Sequence, residues 1–364
     1  LKKAVNEGYF EELIRKYLLE NPHGCIMTLV PKKGLAAQRE KELEEKLEAY
    51  RSSLSEEQLD AMVEKTKALE AYQEAGEDPK ALECIPMLKR SDIKREAAKI
   101  INEELTVDDS LFLYHDVCTN GIGYVDLMFK TDSIAPEQIP YLGLLKSVLG
   151  YVDTENYTYG ELFNEINANT GGINCGVEVF DRADSTEEFQ AMFSVRGKAL
   201  YTKMDFLFKM IGEILNSSKL EDTKRLYEIV ASVKSRAQVN LTGAGHSTAV
   251  LRAAAYSSPM AAFQDEMAGI GYYQFIEKLE KDFEQRKEET VEELCKLMKK
   301  ILRPENFMIS YTGERESLET VQKLAGAVKA GLGTEPVEKS EEKLTCTKKN
   351  EGFKTSGQVQ YVAQ

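Results

Sequence analysis

Histidine is scarce. The 364 residues hold three, His23, His115 and His246, and no two stand three or four apart, so no helix can present a paired-imidazole metal site. Cys25, Cys84, Cys118, Cys175, Cys295 and Cys346 are scattered, with no Cys-x-x-Cys. That argues against a zinc knuckle or a disulfide framework and reads as reduced, buried thiols in a cytoplasmic compartment. No apolar run reaches the ~18–20 residues of a membrane span, and no signal peptide is visible. Positive charge is in deficit: the net charge is -14 and Lys and Arg are scattered. Neither nucleic acid nor an anionic membrane is therefore expected as a partner.

What is present is a globular composition, 42% hydrophobic and 30% charged, enough for one large domain with additions or for two ordinary ones. Helical periodicity runs from Asn6 to Leu19, and the β-branched run Gly24 to Pro31 reads as a strand. A lone helix and strand cannot bury themselves, so residues 1–34 are expected to be the C-terminal remnant of a preceding α+β domain. Leu1 is no initiator methionine, and the chain is expected to be a fragment or a processed product.

From residue 35 the composition shifts to Glu, Lys, Ala, Leu and Gln. Leu43, Leu47 and Leu54 mark a thin apolar stripe on one helix, and Leu59, Met62, Val63 and Leu69 on a second. Ser55 and Gln58 form a capping box that restarts the helix, and Gly76 with Asp78-Pro79 ends it. Residues 35–90 are therefore expected to be an antiparallel helical hairpin linker.

Residues 91–335 read as a complete α+β domain. Strands are expected at Leu111–Asp116 and Tyr124–Phe129, joined as a hairpin through Asn120-Gly121. Helices follow near 137–150 and 157–168, then strands at Gly172–Phe180 and Glu188–Val195. A helical stretch over 203–302 breaks at Asn216-Ser-Ser, Gly243-Ala-Gly245, Ser257-Ser-Pro259 and Gly269-Ile-Gly271. A strand from Asn306 to Tyr311 and a helix over 315–331 complete an antiparallel sheet covered by helices on one face. Residues 336–364 are expected to be a linker followed by a strand, Gln358–Ala363, that begins another domain.

Candidate chemistry is thin. Glu161 and Glu165 stand four apart on one helix, a spacing that suits a hard cation or a shared proton, but no third ligand accompanies them. The plainer reading is a solvated face with Leu162, Phe163 and Ile166 turned inward. Asn167-Ala-Asn169-Thr170-Gly-Gly172 leads into a strand and has two readings: turn chemistry closing a helix, which is preferred, or the start of an edge strand that captures an extended peptide. Gly243-Ala-Gly245-His246-Ser247 opens a helix but lacks the Gly-Lys-Ser/Thr ending of a phosphate loop. His246 and Ser247 have no recognisable acid partner for a nucleophilic triad. His115 reads as packed or hydrogen-bonded on its strand, and His23 as a turn residue. No catalytic, cofactor-binding or metal-ligating residue is assigned.

Several segments occur in an order that resembles one family. They are Glu20-Asn-Pro-His23 before a strand ending Val30-Pro31, Ile85-Pro-Met-Leu-Lys-Arg-Ser-Asp92 after a charged hairpin, Thr119-Asn-Gly-Ile122, Asn169-Thr-Gly-Gly172, Gly245-His-Ser247 and Val359-Gln-Tyr-Val362. Together they resemble the insulinase (pitrilysin) family of zinc metallopeptidases, in its presequence-protease-like branch. The resemblance implies four homologous α+β domains in two halves, joined by a helical hairpin and closing around unfolded peptides. It places this chain at the end of the second domain, the hairpin, the third domain and the first strand of the fourth.

The family's zinc motif, H-x-x-E-H in the first domain, has no counterpart here, nor do the Arg and Tyr of the fourth domain. The resemblance therefore implies a non-catalytic central portion of a zinc metalloendopeptidase, a chamber wall and hinge arm. Zinc would lie in a flanking N-terminal domain, and the partners would be peptide substrates and the flanking domains. The alternative is a stand-alone interaction or scaffold protein with an insulinase-like fold. An independent hydrolase using His246 or the paired carboxylates has the least support.

Overall fold

Short-range capping sets several helix starts, and what differs along the chain is whether the helices bury anything. The computed structural model describes residues 2–97, 99–185, 187–338, 340, 344–355 and 359–364. Two compact units divide it, Leu1–Ala97 and Ala98–Gln364.

The first unit begins with α1 (Lys2–Val5) and α2 (Tyr9–Ile14), which passes into a wider π-helical turn over Arg15–Leu19. Two 19-residue helices follow, α3 (Leu35–Ser53) and α4 (Glu56–Glu74), then the single turn α5 (Pro79–Leu82). The break between α3 and α4 is chemical. Ser55 N–H donates to Gln58 Oε1 at 2.9 Å and Gln58 N–H donates to Ser55 Oγ at 3.3 Å, the reciprocal box expected from the sequence.

The expected strand at 24–31 does not form. Ile26 is 97% exposed and Leu29 88%, and the segment is irregular. β-Branched residues fit a pleated surface, but a strand exists only when a neighbour supplies hydrogen bonds, and no described strand lies beside this one. Among the described side chains of this unit none is buried.

The second unit runs β1 (Glu103–Val107), β2 (Ser110–Asp116), β3 (Ile122–Lys130), α6 (Ile139–Val148), α7 (Tyr159–Asn169), β4 (Ile173–Asp181), β5 (Phe189–Leu200), α8 (Met204–Ser217), α9 (Thr223–Gly243), α10 (Gly245–Ala254), α11 (Pro259–Ala268), α12 (Ile270–Lys281), α13 (Phe283–Ile301), β6 (Phe307–Gly313) and α14 (Leu318–Ala330). The fold is α+β. Each of the four predicted helix breaks is present, and a further one falls at Asp282.

The six strands form one sheet in the order β1-β2-β6-β3-β5-β4. Two expectations are corrected by this order. Asn120 and Gly121 do take the left-handed conformation of a tight turn, with φ of 54° and 81°, yet β2 and β3 are not a hairpin, because β6 inserts between them. The sheet is also not wholly antiparallel, since β2 and β6 run parallel. The true hairpin joins β2 to β1, a strand absent from the expectations above. It turns through Asp108-Asp109 at φ 47° and 65°, two residues of a type favoured in such turns.

Alternation decides which sheet face is covered. Phe307, Ile309 and Tyr311 of β6 are buried in strict alternation with half-buried neighbours, and they join Phe112, Leu127, Phe129, Phe193 and Val195 in one core cluster. α8 meets this face with Met204, Leu207, Phe208, Ile211 and Leu215 at helical spacing, all buried. The approach is close: a Cβ on Gly197 of β5 would lie 2.6 Å from Leu207 Cδ1. Each such Leu or Phe contributes roughly 1.5–3 kcal/mol on burial.

The segment after α14 is irregular over its described residues, but it is docked. Leu344 packs on the main core and Cys346 on a small alanine cluster of Ala255, Ala261 and Ala262. The strand expected at 358–363 is not seen over Val359–Ala363, and Gln358 lies outside the described residues. Instead Tyr361 packs on Gly245, because the backbone there finds a helix and not a sheet edge.

Candidate functional site

β4 is an edge strand: β5 occupies one side of it and no described strand the other. The chain reaches that edge through the turn at 170–172. Thr170 Oγ1 donates to Ile166 O at 2.7 Å and accepts from Gly172 N–H at 3.0 Å, while Gly171 N–H donates to Lys198 O at 2.7 Å. Gly172 has φ of 106°, which a side chain would strain. Both readings of this stretch therefore describe the same residues, since its turn chemistry delivers an edge strand.

Beside β4 lies a groove of about 580 Å³, walled by α6, α7 and the strand itself. Phe163 belongs to this groove and is 58% exposed, which corrects its expected inward position. Only Leu162 and Ile166 of α7 are buried. Helical spacing cannot separate these positions, because Phe163 stands between the two inward residues on the rim of the same face. Cys175 and Val177 line the groove floor, and Lys146, Ser147 and Arg236 line its polar part.

Electrostatics exclude a thiol nucleophile here, because burial pushes the Cys175 thiol up to about 12. Burial also pulls the Lys146 ammonium below its usual range, with Glu178 partly offsetting it. Glu178 is already engaged by Arg196, whose guanidinium lies 3.1 Å from it and 2.7 Å from Asp126. Desolvation raises the Asp126 carboxyl despite that arginine.

The remaining candidates do not assemble into a site. Glu161 is spent on a capping box, accepting from Thr158 N–H at 3.0 Å, and these hydrogen bonds hold its carboxyl below the usual range. Glu165 accepts from Asn169. His115 is held at both ring nitrogens, 2.7 Å from Ile101 O and 3.1 Å from Ser310 Oγ. His246 lies against the Tyr361 ring at 6.0 Å, and the Gly243-Ala-Gly245 turn is occupied by that same tyrosine. His23 is an exposed turn residue whose N–H donates to Asn21. Among the described residues no three His, Cys, Asp or Glu side chains come together as a metal site.

Two features escaped sequence reasoning. Lys146 is the single cation in the otherwise apolar α6, a signal legible in the sequence. The second is an ionic junction far apart in sequence. Arg252 Nη1 lies 2.6 Å from Asp265 Oδ2, and its Nε 2.8 Å from Glu351 Oε2. Asp265 also accepts from the N–H groups of Ile270 and Gly271, while Tyr256 OH donates to Glu351.

A mixed sheet with helices on one face, carrying an edge-strand groove and no metal cluster among its described residues, is the class of domain seen here. The family model for proteins associated with peptidase family M16, subfamily C, matches residues 29–279. The chain belongs to that family, as an insulinase-family, presequence-protease-like segment. Protein HypA of Clostridium perfringens is 35% identical over 364 residues, all of this chain and 37% of that protein. Presequence protease 1, chloroplastic/mitochondrial, of Arabidopsis thaliana is 27% identical over 87% of this chain and 29% of that protein. The chain thus spans less than two fifths of either relative. The solved peptidase M16 inactive domain from Pseudomonas fluorescens aligns with a TM-score of 0.45 and 15% identity, over 67% of this chain and 54% of that one, a likeness too slight to carry an argument. No helix among the described residues is long and apolar enough to cross a membrane.

Proposed function

We propose that this chain is a non-catalytic portion of a zinc metalloendopeptidase that degrades unfolded peptides. Its α+β unit would form part of a chamber wall, and α3 with α4 an arm between the enzyme's halves. The observation that carries the reading is the β4 edge, unpaired among the described residues, beside a groove in a chain of this family that offers no paired histidines. An extended peptide can satisfy the free backbone groups of such an edge while its alternate side chains enter the groove. A folded protein keeps most of its extended segments paired within its own sheets. The histidines present do not fit a zinc site, so no chemical step is assigned to this chain, and zinc is placed in a flanking domain by resemblance.

The test compares the purified chain with the full-length protein. The chain alone is expected to hold no stoichiometric zinc and to leave an unstructured peptide intact, while the full-length protein cleaves it in a chelator-sensitive way. One tight zinc per chain, with chelator-sensitive cleavage by the chain alone, would overturn the reading.

A further inference from the structure

The polar part of the β4 groove is unbalanced in charge. Lys146 and Arg236 both line it, as does Glu178, and neither cation's side chain has a hydrogen bond or an ion pair among the described residues. The carboxylate that acts on Lys146, Glu178, is committed to Arg196 at 3.1 Å. Beside Lys146 stands Ser147, whose hydroxyl donates to Gly143 O at 3.4 Å near Tyr272, and Arg236 acts on the same phenol. The Tyr272 hydroxyl is buried without a hydrogen-bond partner among the described residues, and the ring is 5% exposed. A half-buried ammonium whose neighbouring carboxylate is committed elsewhere is costly unless an anion answers it.

We propose that this corner receives a carboxylate, the C-terminal group of an extended peptide laid along β4. This rests on the edge-strand reading above and goes further, since it names the end of the peptide and the residues that hold it. The anion would answer the Lys146 ammonium and the Arg236 guanidinium. The apolar floor at Cys175 and Val177 would take a side chain of the same peptide. Acidic overall, the molecule would repel a carboxylate elsewhere on its surface, so the corner also sets the direction in which a peptide lies.

The probe is a fluorescein-labelled octapeptide of alternating serine and valine, made with either a free or an amidated C terminus. Fluorescence anisotropy with the 364-residue chain is expected to give about tenfold tighter binding of the free acid, the scale of one charge-assisted hydrogen bond. Arg236→Gln should abolish that difference by weakening binding of the free acid to the level of the amide. Arg236 is exposed, so folding should be unaffected, and circular dichroism checks this. Lys146→Met provides a second, independent variant with the same expected outcome. Equal affinity for acid and amide, or no binding of either at millimolar concentration, would overturn the proposal. Equal affinity would leave the edge-strand reading standing, whereas no binding of either would sink that reading too, so the two failures are distinguishable.

Discussion

α3 and α8 are both clearly written helices, and they end in opposite states. α3 is 19 residues long, rich in Glu and Lys, and buries nothing. α8 is 14 residues long and buries Leu207, Ile211 and Leu215 against the sheet. The contrast extends to the units that hold them. The first has caps, charges and exposed apolar stripes without a core, and the second has every buried residue found among those described. Local hydrogen bonding suffices to specify a helix, but long-range burial supplies most of the free energy that holds one in place.

Substitutions sharpen this comparison. Leu207→Ala should cost about 3 kcal/mol in chemical denaturation of the second unit, because it leaves a cavity where the helix meets Gly197. Arg252→Met should cost about 2 kcal/mol. It removes charge-assisted hydrogen bonds, yet the 2% exposed Asp265 keeps its two backbone donors. Ser55→Ala should cost about 1 kcal/mol, read as fraying at the start of α4 in hydrogen exchange, with the second unit untouched. Leu47→Ala in α3 should fall within about 0.5 kcal/mol. A large loss from Leu47→Ala would show that this stripe is buried in solution and would break the comparison.

Acid offers a separate handle on the docked tail. Hydrogen bonds from Arg252 and Tyr256 lower the Glu351 carboxyl from 4.5 to about 2. A depressed carboxylate contributes stability that is present above its unfolded value and is lost as pH falls through the folded one. The tail should therefore stay docked at pH 5 and release as pH falls from about 4.5 toward 2, seen as faster exchange over residues 344–355. Release on raising the pH through neutrality would contradict this sign.

Helix ends were legible because their causes lie within four residues. Ser55 with Gln58 and Ser258 before Pro259 needed no tertiary information. Most strands were legible too, through alternation, but their order was not. Asn120-Gly121 is a turn in either topology, and nothing within ten residues of it reveals that β6, nearly two hundred residues later, separates its two strands. The segment 24–31 failed for the same reason in reverse, having strand chemistry but no described neighbour. At the candidate site, the turn at 170–172 is legible in the sequence, with the edge strand as its alternative reading. The meeting of two cations is not, since Lys146 and Arg236 come from separate helices and only packing brings both to the groove.

The sequence by itself determined where most helices begin and end, which strand faces are apolar, and that no histidine pair is available for a metal. Those properties depend on spacing, caps and residue count. Tertiary structure alone decided the strand order, the parallel contact of β2 with β6, the docking of the tail and the exposure of the β4 edge. Each of these joins residues far apart in sequence, and its energy comes from burial and pairing that no local window contains.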